Sequence, residues 1–285
     1  MSQFELGESQ SRPYGIRRTG AVTYAKAAVE VYVREPGEDI EPSGITWVLA
    51  PGLTEDPAAL RLAAIEATKL GHKAVILAHL TKGIFNALDN NANDVAAVVD
   101  ALPSDTEVAI MGHSKGGATA IRGARRARRP VRQITTVAPA HHLLERFYTR
   151  ENILHGIWDA RHEPLSLEGD SLTAKAIKTS TAKHCLRRPL AVGAEFLALI
   201  RGSVHDEVHA LKSESNNTYL LIAYGDDDRL YPLRAMEESI VDLPYDDQMC
   251  YEGGHCRINY DADFARMLFL RGRQGPRVIP NQLAA

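Results

Sequence analysis

Five residues, Gly112-His113-Ser114-Lys115-Gly116, have the types and spacing for nucleophilic chemistry. They form the frame G-x-S-x-G after an apolar run, residues 108–111, that is short enough to be a buried strand. The small residues at 116–120 suit the opening of a helix. At so tight a strand-to-helix turn the serine backbone is strained, and flanking glycines let strand and helix approach closely. The hydroxyl of Ser114 is then held out at the edge of a sheet. The amide of Lys115 would lie at a helix N-terminus, where free N–H groups and the helix dipole favour developing negative charge. That amide is half of a candidate oxyanion hole. A serine hydroxyl is a weak nucleophile at neutral pH, so the frame is productive only with a base in hydrogen-bond reach. Glycine-rich turns also produce this frame by chance, and the test is whether an acid and a histidine follow downstream.

The elements that must position Ser114 read as an alternation. Val29, Val31 and Val33 alternate with Glu30, Tyr32 and Arg34, which predicts a strand within 21–34 near a sheet edge. Further strands are predicted at 45–50, 74–78, 108–111, 134–137, 218–224 and 248–251. Asp56 is placed to cap a helix that has Pro57 at its first position and an apolar stripe at Leu60, Ala63, Ala64, Ala67 and Leu70, with Gly71 as its stop. Residues 79–91 read as loop, and a second helix is predicted from Asp94 to Leu102, stopped by Pro103. Two more are expected at 233–240 and 261–271. Strands alternating with helices of this length imply an α/β protein with a mostly parallel central sheet and helices on both faces. Residues 1–20 read as an N-terminal arm and 272–285 as a C-terminal tail. Residues 141–217 break the alternation and hold no clear strand, which predicts an inserted helical cap rather than a second domain.

The bulk numbers are those of an ordinary globular chain of 285 residues, 45% hydrophobic and 24% charged. A net charge of -3 gives no global attraction to nucleic acid or anionic membranes. Three cysteines, Cys185, Cys250 and Cys256, make neither a disulfide framework nor a metal spacing, and with no apolar leader or spanning segment in view a cytoplasmic setting is expected. The sequence sets no oligomeric state.

With the elbow, an acid after the strand at 218–224 and a histidine after the strand at 248–251, the chain resembles the α/β-hydrolase family over roughly residues 25–271. The order serine, acid, histidine is the order of that family. The resemblance implies a core of residues 21–140 and 218–271 around the cap. It also implies Ser114 as nucleophile, His255 in Glu252-Gly-Gly-His255 as base, and an acid in Gly225-Asp-Asp-Asp-Arg-Leu-Tyr-Pro232. The family's spacing of glycine, two residues, aspartate and a later proline selects Asp228, with Asp226 and Asp227 as alternatives. His255 would take the serine proton and return it to the leaving group. Asp228 would fix the imidazole tautomer and stabilise the imidazolium. The second oxyanion donor implied is the amide of Leu53, after Pro51-Gly52, where family members often carry His-Gly.

Other candidates weigh less. His113 lies inside the elbow, points away from the nucleophile and is expected to pack. His141 and His142 open the cap and read as solvent-facing more readily than as substrate contacts. His205 and His209 have an i, i+4 spacing but no accompanying glutamate frame, so they read as a polar helix face. Cys256, beside His255, is expected to be an inert thiol. Arg122, Arg125, Arg126, Arg128, Arg129 and Arg132 suit the C-terminal end of a helix dipole and a solvated face better than a docking patch for an acidic partner.

The resemblance implies hydrolysis of a carboxylic ester, or a related acyl bond, through an acyl-serine intermediate by a carboxylesterase- or lipase-like enzyme. The substrate would be a small ester or acyl compound, with no metal or organic cofactor, no nucleic acid and no stable membrane insertion. Acyl transfer, thioesterase chemistry and carbon–carbon bond hydrolysis would use the same triad, and a non-catalytic ligand-binding module on this fold is a further alternative. Phe147, Tyr148, Ile153, Leu154, Ile157 and Trp158 in the cap suggest an apolar acyl or aromatic group.

Overall fold

In the computed structural model the strand register explains why so many apolar runs are continuous. The structure describes residues 4–5, 10–11, 17–24, 27–53, 55–78, 87–139, 189–190, 192–193, 204–214 and 217–273. Its strands are β1 (Phe4–Glu5), β2 (Gln10–Ser11), β3 (Arg17–Tyr24), β4 (Ala27–Arg34), β5 (Ile45–Ala50), β6 (Lys73–Leu77), β7 (Glu107–His113), β8 (Gln133–Val137), β9 (Tyr219–Gly225) and β10 (Asp247–Tyr251). The helices are α1 (Arg61–Lys69), α2 (Ala87–Ala101), α3 (Lys115–Arg126), α4 (His205–Glu214), α5 (Leu233–Ile240) and α6 (Ala262–Arg273). The sheet order is β1-β3-β4-β6-β5-β7-β8-β9-β10, with β2 paired to β3. From β6 to β10 every pairing is parallel, while β4 joins β6 antiparallel.

The parallel strands β5 to β9 are covered on both faces, so successive residues enter different cores, whereas β10 at the edge buries Met249 and Tyr251 and exposes Gln248 and Cys250. In β5, Val48 and Ala50 pack with Val95 and Val99 of α2, Ile121 of α3 and Val208 and Leu211 of α4. Trp47 and Leu49 pack on the opposite face with Ala63 and Ala67 of α1 and Leu268 and Phe269 of α6. The expected mostly parallel sheet with helices on both faces is thus what the chain forms.

Local signals hold where they have a physical basis. Asp56 Oδ1 accepts the Ala58 amide at 2.9 Å, and Pro57 opens a 3₁₀ turn that runs into α1. Gly71 ends α1 with φ of 81°, and a Cβ there would meet the Glu41 carbonyl at 2.2 Å. Two elements are longer than expected. The single strand foreseen within 21–34 is a pair, β3 and β4, and β3 already begins at Arg17, inside the stretch read as an arm. No glycine or proline separates the two strands, so no turn signal was available to divide them. Helix α2 begins at Ala87 rather than Asp94, because Asn90, Asn91 and Asn93 mask a real stripe of buried Leu88, Asn91, Ala92 and Val95.

The cap expected at 141–217 lies mostly outside the described residues. Within it, Val204, Val208 and Leu211 join the core beside α3. His205 and His209 share a helix face, their ring centroids 4.6 Å apart. The arginines after Ser114 are engaged within the chain. Arg122 faces Asp89 and Glu207, Arg125 binds Glu207 and Glu214, and Arg126 binds Asp89 at 2.5 Å. Arg128 binds Asp100 at 2.9 Å, Arg129 donates to the Leu102 and Thr106 carbonyls, and Arg132 pairs with Glu107. These residues tie α3 and its following loop to α2, α4 and β7, and the pairing accounts for the cluster without an external acidic partner.

Helices α2 and α3 meet at Gly123, where a Cβ would lie 2.5 Å from Val95 Cβ. Gly123→Ala gains roughly 1 kcal/mol in helix propensity but overpacks a β-branched neighbour, at a cost of about 1–3 kcal/mol. A net loss of stability is expected, read as a lower urea midpoint with unchanged slope.

Candidate active site

The carboxyl ends of β5, β7, β8, β9 and β10 all lie along one edge of the parallel sheet. Loops leaving those ends converge, which is where open α/β sheets place ligands. Ser114 sits between β7 and α3 with φ of 52° and ψ of −120°, a conformation rare for an L-residue. Its amide donates to the Val137 carbonyl at 2.8 Å, and its carbonyl accepts from the Gly117 amide at 2.9 Å. A Cβ on Gly112 would lie 2.1 Å from the Gly116 carbonyl oxygen, and one on Gly116 would lie 2.1 Å from the Ala50 carbonyl oxygen. Both glycines of the frame are therefore required by close approach.

Asp228 is buried after β9. Its Oδ1 accepts the amides of Leu230 and Tyr231, each at 2.9 Å, and its Oδ2 lies 2.8 Å from His255 Nδ1. A carboxylate there makes Nδ1 the protonated nitrogen and leaves Nε2 with its lone pair. Among the three consecutive aspartates, only Asp228 makes this contact. Asp226 instead accepts the Gly253 amide at 2.8 Å and so braces the loop that carries His255, while Asp227 is exposed. The ring of Tyr231 stands 5.1 Å from that of His255.

Lys115 is the first residue of α3, and its side chain is buried. Leu53 follows Gly52 in the turn after β5 and packs against the core. A Cβ on Gly52 would lie 3.4 Å from Ser114 Cβ, so this turn abuts the nucleophile. The two expected oxyanion donors thus sit on the two segments that meet at Ser114. His141, His142 and the apolar cap residues lie outside the described residues.

Glu55 and Asn259 were not anticipated. Glu55 Oε2 accepts the Gly52 amide at 2.5 Å, and Oε1 accepts from Asn259 Nδ2 at 2.7 Å. Both carboxylate oxygens lie at 3.0–3.1 Å from Nδ1 of His113. Burial opposes ionisation of Glu55, but the charge and hydrogen bond of His113 and the donors Gly52 and Asn259 outweigh it, holding the carboxyl below its ordinary range. A usable signal existed. A histidine inside the elbow is expected to be buried, and a buried histidine needs a polar partner. Glu55 lies 58 positions from His113, so local spacing did not point to it as that partner. Among the described residues no group of three or more His, Cys, Asp or Glu is placed to hold a metal ion, and no helix is long and apolar enough to cross a membrane.

No protein-family model matches the sequence, and no curated protein matches it either. Solved structures do match in three dimensions. A hydrolase from Oleispira antarctica is 18% identical with a TM-score of 0.64, over 86% of this chain and 94% of its own. An esterase from Exiguobacterium antarcticum is 16% identical at 0.63, over 86% and 96%. A bromoperoxidase from Bacillus anthracis is 14% identical at 0.63, over 87% and 96%. At these identities the likeness is one of fold, and the chain has the α/β-hydrolase fold.

Glu55 has a lowered folded pKa, so it contributes stability at pH values above its unfolded value, roughly 4.3. That contribution is lost as pH falls through the folded pKa. Glu55→Gln is expected to be less stable than wild type at pH 7, with the gap narrowing below about pH 4.5. Urea midpoints measured across that pH range check the sign.

Proposed function

We propose that this protein is a serine hydrolase that cleaves carboxylic esters of small molecules through an acyl-serine intermediate. Ser114 is the nucleophile, His255 the general base and then acid, and Asp228 the group that orients it. The observation that carries this reading is the pairing of a strained, elbow-borne serine with a buried Asp228–His255 contact of 2.8 Å on the same sheet edge.

The chemistry follows from the residues. His255 Nε2 takes the hydroxyl proton as Ser114 Oγ attacks the ester carbonyl. Asp228 keeps the imidazole in the tautomer that can accept that proton and stabilises the imidazolium. The amides of Lys115 and Leu53 receive the negative charge on the tetrahedral oxygen, an interaction of about 3 kcal/mol per donor in comparable sites. Collapse expels the alcohol, protonated by His255. Water, activated by the same histidine, then hydrolyses the acyl-serine. The named activities of the structural neighbours, a hydrolase and an esterase among them, are consistent with this class of reaction.

A fluorophosphonate probe is expected to label wild-type protein at Ser114, with no labelling of Ser114→Ala. His255→Ala and Asp228→Asn are expected to lower the labelling rate sharply and the kcat for p-nitrophenyl esters by roughly 10⁶-fold and roughly 10⁴-fold, respectively. Folded wild-type protein that neither labels nor turns over short- or long-chain esters would overturn the reading. Formation of a new ester when an alcohol is added would move the assignment to acyl transfer.

A further inference from the structure

We propose that Glu55 and His113 form a largely buried carboxylate–imidazolium pair that acts as a positioning device, clamping the turn after β5 and the loop bearing His255 onto the serine elbow. The proposal rests on the catalytic roles given above to Ser114 and His255, and it assigns two residues that make no contact with the reacting atoms.

The charge state follows from the partners. Nε2 of His113 lies 3.0 Å from the backbone carbonyl oxygen of His255. A carbonyl only accepts, so Nε2 carries a proton. Nδ1 faces both oxygens of Glu55 at 3.0 and 3.1 Å. Those oxygens already receive Gly52 N–H and Asn259 Nδ2–H. A carboxylate that already accepts two hydrogen bonds, from Gly52 and Asn259, and faces the His113 ring is held ionised despite its burial, and Nδ1 then carries a proton as well. His113 is an imidazolium, and its charge is matched inside the protein.

The bonds join segments far apart in sequence. Glu55 and Asn259 are separated by 204 positions, and His113 and His255 by 142. Gly52 precedes Leu53, so the Glu55–Gly52 bond sets the direction of the expected oxyanion amide. The His113–His255 bond fixes the backbone of the base itself, whose ring lies 5.1 Å from that of His113. A charge-assisted pair is suited to this task, because its hydrogen bonds are roughly twice as strong as neutral ones. An uncharged side chain at 55 cannot serve all the donors. Glutamine has one accepting oxygen; turned to Gly52, it would set its amide hydrogens against Asn259, which would have to reverse and present its Oδ1, unpartnered among the described residues, to meet them.

The test uses full-length protein with ¹⁵N-labelled histidine. In wild type at pH 7 the His113 ring, assigned by its loss in His113→Asn, is expected to show both nitrogens protonated. In Glu55→Gln it is expected to become neutral, with the proton on Nε2. For p-nitrophenyl ester hydrolysis, Glu55→Gln is expected to lower kcat roughly ten- to hundredfold, the scale of a small misplacement of reacting groups. KM is expected to change by less than about threefold, because no substrate contact is removed. A purely structural loss would instead lower the fraction of active enzyme, with wild-type kcat per labelled serine.

A neutral His113 ring in wild type overturns the charged pair, and that measurement needs no variant to fold. Glu55→Gln with kcat within twofold of wild type overturns the positioning role. Failure of wild-type Ser114 to react with a fluorophosphonate would overturn the hydrolase reading and the catalytic part of this one. The ring spectrum would still decide the pair.

Discussion

One constraint orders this molecule: Ser114 is held with a positive φ between a strand and a helix that touch without side chains between them. A non-glycine residue in such a conformation costs about 1–3 kcal/mol and persists only when its surroundings over-determine it. Here Gly112, Gly116 and the Ala50 carbonyl close around the turn, and the Ser114 amide is bound to β8. Among the described residues the other non-glycine with positive φ is Ala138, at the end of β8 on the same edge. Strain is therefore concentrated where the loops converge, and the two large cores on either face of the sheet supply the rigidity that sustains it.

Polar burial follows the same edge. Asp228, His255, His113 and Asn259 are all buried, and with Glu55 each has a hydrogen-bond partner within the group or on an adjacent backbone. The Asp228–His255 pair and the Glu55–His113 pair meet at one residue, His255, the first at its ring and the second at its carbonyl. An unmatched charge in low dielectric is costly, and here the carboxylates each face a histidine; the group left without a hydrogen-bond partner among the described residues is a neutral one, Asn259 Oδ1. The remote end of α3 carries its charges differently. Its arginines pair with exposed or half-buried acids of α2 and α4, where solvent screening leaves each pair a small contribution. Packing at Gly123 and Val208, more than those ion pairs, holds the helices together.

The sequence by itself determined the alternation of strands and helices, the elbow and the candidate triad. The elements and the elbow are legible because each depends on local rules: apolar runs of strand length, a cap at Asp56, stops at Gly71 and Pro103, and glycines at fixed offsets around Ser114; the acid and histidine of the candidate triad came from the family resemblance. The fold class followed from the alternation. Where local rules were silent, the reading fell short. The β3–β4 pair lacks a turn residue that would mark it, and the first turns of α2 are written in asparagines whose buried face depends on what packs against them.

The family spacing favoured Asp228, and only the tertiary structure showed which of Asp226, Asp227 and Asp228 contacts His255, because three adjacent carboxylates differ by where the chain points them and not by type. Only it joined Glu55 to His113 and Asn259. Hydrogen bonds across 58 and 204 positions leave no trace in local spacing, since either partner alone reads as an ordinary polar residue. The arginine cluster was visible as charge, but its acids lie on other helices, so its pairing was a property of the packed chain. Local sequence sets which residues are near a turn or within a strand. Which buried charges face each other is set by the register of a sheet assembled from segments distant along the chain.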